Sequence, residues 1–238
     1  MEINVNGMTF TQINEELRKT DSACLNGCLG QRFIATGMSD KKITVNGVPG
    51  NALGAYLNGA QIIVNGNAQD AVGDTMNSGS IVIHGNIGDA AGYAMRGGEI
   101  FVKGNAGYRA GIHMKAYEDK KPVMVIGGRA GSFLGEYQAG GIIIVLGLHD
   151  GSRAAVGNFP CTGMHGGKMF IRGKIDNITF PDRLNLRAAT KDDLQEIMPY
   201  IEKYCKYFGM DVADILSETF TLITPDTKNP YKQMYVAN

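Results

Sequence analysis

Apolar residues along this chain come in short runs, and the runs return at a fixed interval. Four units follow one another without a gap, opening at Ile43, Ile62, Ile81 and Ile100, nineteen residues apart. Each begins with a strand-like run that ends in glycine: Ile-Thr-Val-Asn-Gly47, Ile-Ile-Val-Asn-Gly66, Ile-Val-Ile-His-Gly85 and Ile-Phe-Val-Lys-Gly104. Looser copies end at Gly127, Gly147 and Gly173. A period this short describes one structural unit stacked on copies of itself, each burying its apolar side only against its neighbours.

Further columns define the unit. A second glycine follows seven residues after the first, at Gly54, Gly73, Gly92 and Gly111, and drifts to Gly135 and Gly157. A third falls at Gly59, Gly79, Gly98, Gly140 and Gly166. Three glycine columns mark three corners, where a tight coil needs backbone angles that a Cβ disfavours. Met38, Met76, Met95 and Met164 each stand nine residues before the terminal glycine of the next run, and Leu57 holds the same place. Met114 joins them if four residues, Tyr117 to Lys120, are inserted. Thioethers in a column are a soft-metal possibility, but an unbranched ladder filling the coil interior is the expectation. Asn67, Asn86 and Asn105 follow terminal glycines and are expected to hydrogen-bond from coil to coil. The pattern predicts an all-β core, a right-handed parallel β-helix of about seven coils, with strands ~4.8 Å apart and a rod ~34 Å long.

The flanks have a different period. Residues 1–22 predict a short strand, Glu2 to Val5, and a helix with Phe10, Ile13 and Leu17 on its apolar side and Thr9 or Thr11 as N-cap. After Phe180 the pattern turns helical: Thr190 and Asp193 form a capping-box pair, Leu194 to Phe208 has helical spacing, and Gly209 stops it. A short helix follows Asp211, and the tail from Thr224 to Asn238 reads as extended. The expected division is a 1–22 cap, a 23–180 solenoid and a 181–238 helical extension, the helices covering open strand edges or docking a partner.

Composition narrows the function classes. Of 33 glycines all but Gly7 and Gly209 lie between Gly27 and Gly173, which confines the solenoid to that stretch. Twenty-three basic and 23 acidic residues balance, without a basic block, so nothing points to nucleic acid or an anionic membrane. The start lacks a basic and an apolar leader region, and no apolar stretch approaches the ~20 residues of a bilayer span. Four cysteines without a paired framework fit a cytoplasmic protein.

Candidate chemistry is sparse. Cys24 and Cys28 form a C-x3-C pair, and Cys161 and His165 a second. Zinc and iron–sulfur sites favour C-x2-C, and about six coils, ~29 Å, separate the two pairs. His84 lies in a strand, His113 and His165 near corners, and His149, Asp150 and Ser152 in one loop, where sequence neighbours rarely form a triad. Glu99, Glu118, Asp119 and Glu136 are scattered, and Arg96, Lys103 and Arg109 lack acidic companions of the kind a lyase groove needs. No catalytic, cofactor-binding or metal residue is assigned, and a neutral rod with flat sides and no deep pocket suits association.

The runs from Gly88 to Gly104 (GDAAGYAMRGGEIFVKG) and from Gly135 to Gly147 (GEYQAGGIIIVLG) resemble the C-terminal GXGXG-repeat domain of the glutamate synthase large subunit, in its stand-alone form. A similar repeat occurs in one component of formylmethanofuran dehydrogenase. The resemblance covers about residues 24–180. It implies a non-catalytic component of an oxidoreductase of glutamate biosynthesis and ammonia assimilation, packed between a glutaminase-type amidotransferase subunit and a flavin- and iron–sulfur-bearing synthase subunit, with no cofactor of its own. Glutaminase chemistry in that family needs an N-terminal cysteine, and this chain starts Met1-Glu2. The segment Tyr117 to Lys120 and the loop from His149 to Thr162 interrupt the repeat and are the expected partner contacts. An independent solenoid enzyme, a sugar lyase or an acyltransferase, is the remaining class.

Overall fold

The computed structural model describes residues 1–148 and 154–226. It contains eleven strands in one sheet. They are β1 (Glu2–Asn4), β2 (Ser22–Leu29), β3 (Lys42–Val48), β4 (Asn58–Asn65), β5 (Ser78–Ile83), β6 (Glu99–Val102), β7 (Val123–Ile126), β8 (Ala139–Val145), β9 (Gly166–Arg172), β10 (Leu184–Ala188) and β11 (Phe220–Pro225). Three helices accompany them: α1 (Phe10–Arg18), α2 (Lys191–Phe208) and α3 (Val212–Leu216). Strands β1 to β9 pair in chain order and in parallel. β11 then joins β9 antiparallel, and β10 joins β11. The chain is a β-solenoid of about eight turns.

The register explains both the period and its interruptions. Ile43, Ile62, Ile81 and Ile100 stand side by side on successive strands, so each of those turns is nineteen residues long. An additional first turn, β2, escapes the pattern because an extra residue bulges between Asn26 and Cys28, at Gly27. From β6 to β7, Ile100 pairs with Met124, a step of 24 residues. The insertion between them is therefore five residues (24 − 19), not four, and Gly128 takes the place of Gly104 while Gly127 falls one position earlier. The other long turn, Ile143 to Met169, is 26 residues, seven over the standard. Its extra residues precede Val156, which already bridges Ala130, so the part of the 149–162 loop after that point belongs to the coil. The rest of that loop, with His149, Asp150 and Ser152, lies outside the described residues, as does the tail from 227 onward.

Strand alternation sorts the side chains. Inward columns run Ala23, Ile43, Ile62, Ile81, Ile100, Met124, Ile143, Met169, and Leu25, Val45, Val64, Ile83, Val102, Ile126, Val145, Ile171. All are buried in one core. Met38, Leu57, Met76, Met95, Met114 and Met164 are buried there too, as the interior reading expects. After Met114 the same place is taken by Gln138, fully buried, because the turn is longer. Its Nε2 donates to the Gly140 and Gly141 carbonyls at 3.2 Å each, and its Oε1 is the buried side-chain polar atom without a partner among the described residues.

Opposite the sheet each turn runs as a ribbon in which alternate residues take positive φ. In one turn these are Ala52 (62°), Gly54 (65°) and Tyr56 (56°), and in the next Ala71, Gly73 and Thr75. The Ala52 and Tyr56 amides donate forward to the Asp70 and Asp74 carbonyls, while the Gly54 amide donates back to Ile34. Alternation thus lets one ribbon bond both neighbours. In the five inner turns glycine occupies the middle position, which Ala35 and Cys161 hold in the first and last, for a steric reason besides φ: a Cβ on Gly73 would sit 2.6 Å from Ile100 Cδ1. The flanking positions point outward and accept Cβ, so the corners are not all glycine. Three asparagine–aspartate rows lace the outside, including Asn86 and Asn105 amides bonded to the preceding asparagine Oδ1 at 2.8 and 2.7 Å.

A helix closes the first turn, whereas the last is covered by the antiparallel strands β11 and β10, in place of the helical cap expected there. α1 is capped at Thr9, and Ile13 and Leu17 enter the core, whereas Phe10 stays 47% exposed against Phe33. Asn14 sits buried at the first ribbon edge; its Nδ2 donates to Phe33 O and its Oδ1 accepts from the Ala35 amide, both at 2.8 Å. α2 carries the Thr190–Asp193 capping box and ends at left-handed Gly209. It lies on the outer face of the sheet, where Ile197, Ile201, Tyr204 and Cys205 meet Val82, Phe101, Val125, Ile144 and Phe170. In register with these, the first three turns present Cys24, Thr44 and Ile63, only half-buried. Ion pairs Lys203–Glu99 (2.6 Å), Lys121–Glu196 (3.1 Å) and Lys168–Glu196 (2.5 Å) rim the docked helix. Gly127 faces the Tyr204 ring, and any Cβ there would collide with the phenol.

Two measurements test these features. Gly73→Ala should cost at least ~2 kcal/mol in denaturant unfolding, combining left-handed strain with overpacking, while Ala71→Gly stays within about 1 kcal/mol of wild type. The Arg187 guanidinium, then Thr190, hold the Asp193 carboxyl well below its ordinary value of 3.8. A depressed value adds stability that is complete above the unfolded pKa and is lost as pH falls toward the folded one. Thermal midpoints of wild type should therefore exceed those of Asp193→Asn at pH 6, and the gap should narrow below about pH 4.

Candidate functional site

On the ribbon side, successive turns place like positions one above another, and two outward columns draw together a group that is dispersed in sequence. The positive-φ column runs Ala94, His113, Tyr137, Gly163, and two residues further on the chain gives Arg96, Lys115, Ala139, His165. Between them lies an open groove of about 600 Å³ lined by His113, Lys115, Tyr137, Ala139, His165, Gly166 and Gly167. A second hollow of about 310 Å³ shares His113 and Lys115 and continues to Ala94, Arg96 and Tyr117. The expectation of plain flat sides is corrected here: glycine and alanine at Gly166, Gly167, Ala139 and Ala94 leave a channel between larger neighbours.

The rings are held firmly. His113 stacks on Tyr137 at 5.2 Å and 11°, and Tyr93 meets His113 edge-on at 5.9 Å. The backbone of Gly163 approaches the other face of Tyr137 so closely that a Cβ would come within 2.5 Å of the ring. His165 Nδ1 lies 3.0 Å from the Gly163 carbonyl, which only accepts, so the contact is a hydrogen bond in the tautomer with the proton on Nδ1. The side chains of Arg96 and Lys115 have no hydrogen-bond or ionic partner among the described residues. Farther along, Arg109 pairs with Glu136 at 2.8 Å and lies over Phe133, 4.9 Å from its centroid. Glu99 is held by Lys203. Two of the carboxylates read as scattered are therefore paired, and Arg109 does have an acidic companion.

Other singled-out residues stay apart. Cys24 faces outward with Asn46 Nδ2 3.2 Å from its sulfur; burial, then Glu2, raises its pKa. Cys28 faces the interior and burial pushes it up to about 11. Cys161 is buried 3.5 Å from Met169 Sδ, with its pKa strongly raised by burial, and Cys205 is on the buried face of α2. His84 packs edge-on against Phe208 at 5.2 Å; burial, then Lys103, lowers its pKa. Among the described residues no group of three His, Cys, Asp or Glu side chains has the geometry of a metal site. Nor is any helix among them long and apolar enough to cross a membrane. Sequence reasoning missed Lys115 and Tyr137, whose signal was their constant place in the unit once insertions of five and seven residues are counted.

The glycine-punctuated repeat matches the GXGXG motif family model over residues 4–228, nearly the whole chain. The chain belongs to the GXGXG motif family. The uncharacterized protein MJ1350 of Methanocaldococcus jannaschii is 44% identical over 248 residues, spanning 98% of this GXGXG chain and 95% of its own length. Among solved structures, a chain of the formyltransferase/hydrolase complex FhcABCD from Methylorubrum extorquens, crystallised with methylofuran, superposes with a TM-score of 0.65. It covers 94% of this GXGXG chain and 91% of its own at 20% identity, a likeness of fold.

Thiol chemistry tests the placement of the cysteines. In the native GXGXG chain a disulfide reagent should titrate Cys24 first and slowly, with Cys28, Cys161 and Cys205 reacting only on unfolding. Cys24→Ser should abolish the native reaction.

Proposed function

We propose that this chain is a non-catalytic architectural subunit of a glutamate synthase-like complex in the cytoplasm. In this reading it packs between a glutaminase-type amidotransferase and a flavin- and iron–sulfur-dependent synthase subunit. The observation that carries it is the extent of the GXGXG family match, residues 4–228. The repeat and its caps make up the described chain, and its turns are filled by apolar side chains. What remains available is outer surface, and surface suits assembly. A second reading, a subunit of a formyltransferase- or formylmethanofuran dehydrogenase-type complex, is favoured by the fold shared end to end with the FhcABCD chain.

The two insertions are the candidate contacts. In chain order they fall at different points of a turn, one between ribbon and strand at the Tyr117–Lys120 bridge, the other between β8 and Val156. One insertion would then serve each neighbour, rather than a single face serving both.

Copurification of the native protein tests the reading. A glutaminase-type subunit and a flavin-bearing synthase subunit should accompany it; formyltransferase-type subunits would select the second reading, and a free monomer would reject both. The isolated chain should neither hydrolyse glutamine nor retain flavin. Excising five residues between Lys115 and Pro122 should leave the thermal midpoint nearly unchanged and weaken assembly by about tenfold or more, the size of a modest hot spot.

A further inference from the structure

The groove between the two ribbon columns has the chemistry of an anion site. Arg96 and Lys115 are exposed cations without a carboxylate partner among the described residues, and His113, His165, Tyr117 and Tyr137 complete its walls. No carboxylate lines either hollow. Glu136, beside Tyr137 in the chain, is engaged by Arg109 and is itself buried. Elsewhere on the molecule, cations facing the docked helix are paired: Lys121 and Lys168 with Glu196, and Lys203 with Glu99. The groove brings Arg96 and Lys115 together on neighbouring turns, two cations without an ionic partner among the described residues.

Its shape selects the ligand class. Tyr137 has His113 on one face and the Gly163 backbone on the other, so neither face is free to stack on a flat ring. What the rings offer the groove is their edges and polar atoms, which are hydrogen-bond donors in Tyr and in charged His. Donors at several heights along the solenoid axis, one turn apart from Arg96 to Lys115 and two from Lys115 to His165, span ~5 to 15 Å. A single monovalent oxyanion reaches one of these heights. A ligand with two or three oxyanion groups reaches more than one, and a volume of about 600 Å³ accommodates it.

We propose that this groove binds a small polyvalent oxyanion, an organic polycarboxylate or a phosphate ester, through Lys115, Arg96, His113, His165 and the Tyr137 hydroxyl. The site is independent of which complex the chain joins. It places a metabolite-responsive element on the same corner as the five-residue insertion, since Tyr117 belongs to both.

Calorimetric titration of the full chain with citrate and with pyrophosphate, and acetate for comparison, tests it. One-to-one saturable binding of citrate or pyrophosphate at millimolar or lower concentration is expected, with acetate at least tenfold weaker. Chemical-shift changes should centre on His113, Tyr137 and His165. Lys115→Gln should weaken binding by about tenfold, the size of one charge-assisted hydrogen bond, and adding Arg96→Gln should weaken it further. Arg32→Gln, on the first ribbon turn, should leave it unchanged. Circular dichroism spectra of the variants should match that of the wild type, since the substituted side chains are exposed. Absence of saturable binding by either polyanion, an affinity unaffected by Lys115→Gln, or an equal loss in Arg32→Gln would each overturn the proposal.

Discussion

Most backbone amides in the coils find their partner one turn away, and the rest of this structure follows from that requirement. An α-helix closes its hydrogen bonds within itself; a solenoid turn cannot. The strand side meets the need by ordinary parallel pairing. The ribbon side meets it by alternating φ, so that Ala52 and Tyr56 bond forward while Gly54 bonds back. Left-handed angles at non-glycine residues cost about 1–2 kcal/mol each. They persist because abandoning them would leave two rows of buried peptide groups unpaired, at ~1–3 kcal/mol per group.

The same requirement makes the ends the weak points, and each is closed differently. At the start, one side chain does what a whole preceding turn would do: Asn14 supplies both the donor and the acceptor that Phe33 and Ala35 require. An amide is the side chain that imitates a peptide group on both counts. At the other end the sheet reverses direction, and β11 and β10 cover β9 in antiparallel sense. Parallel growth stops there because the added strand no longer presents a nineteen-residue successor.

Much of this was readable in the chain. The period, the inward methionines, the Asn67–Asn86–Asn105 row and the Thr190 cap, with Thr9 one of two candidates for the first cap, are local or strictly periodic signals. The positive-φ ribbon was not readable, because Phe33, Ala52, Arg109 and Tyr137 share no side-chain property that announces a left-handed angle. Gln138 was hidden for another reason: it replaces methionine only after a five-residue insertion is counted correctly, and Gly127 imitated a terminal glycine one position early. The groove was invisible for the same cause. His113, Tyr137 and His165 are separated by 24 and 28 positions, and only the true turn lengths bring them together. The docking of α2 was legible as amphipathicity but not as location. Its seat depends on the change from Thr44 and Ile63 to Val82 and Phe101 along one outward column.

That outward column divides the rod into two regimes of evolvability. α2 is pinned by contacts at fixed heights: Lys203 to Glu99, Tyr204 opposite Gly127, Glu196 between Lys121 and Lys168. Gain or loss of a whole turn within β6 to β9 would shift these anchors by ~5 Å against a rigid helix. Turns before β5 carry none of these ion-pair or Tyr204 anchors, and each is built mainly on its neighbours. Duplicating or deleting one there changes the reach of the rod while its C-terminal fitting stays the same. The rod thus has one section whose length is free to change and one whose length is fixed by the seat of α2.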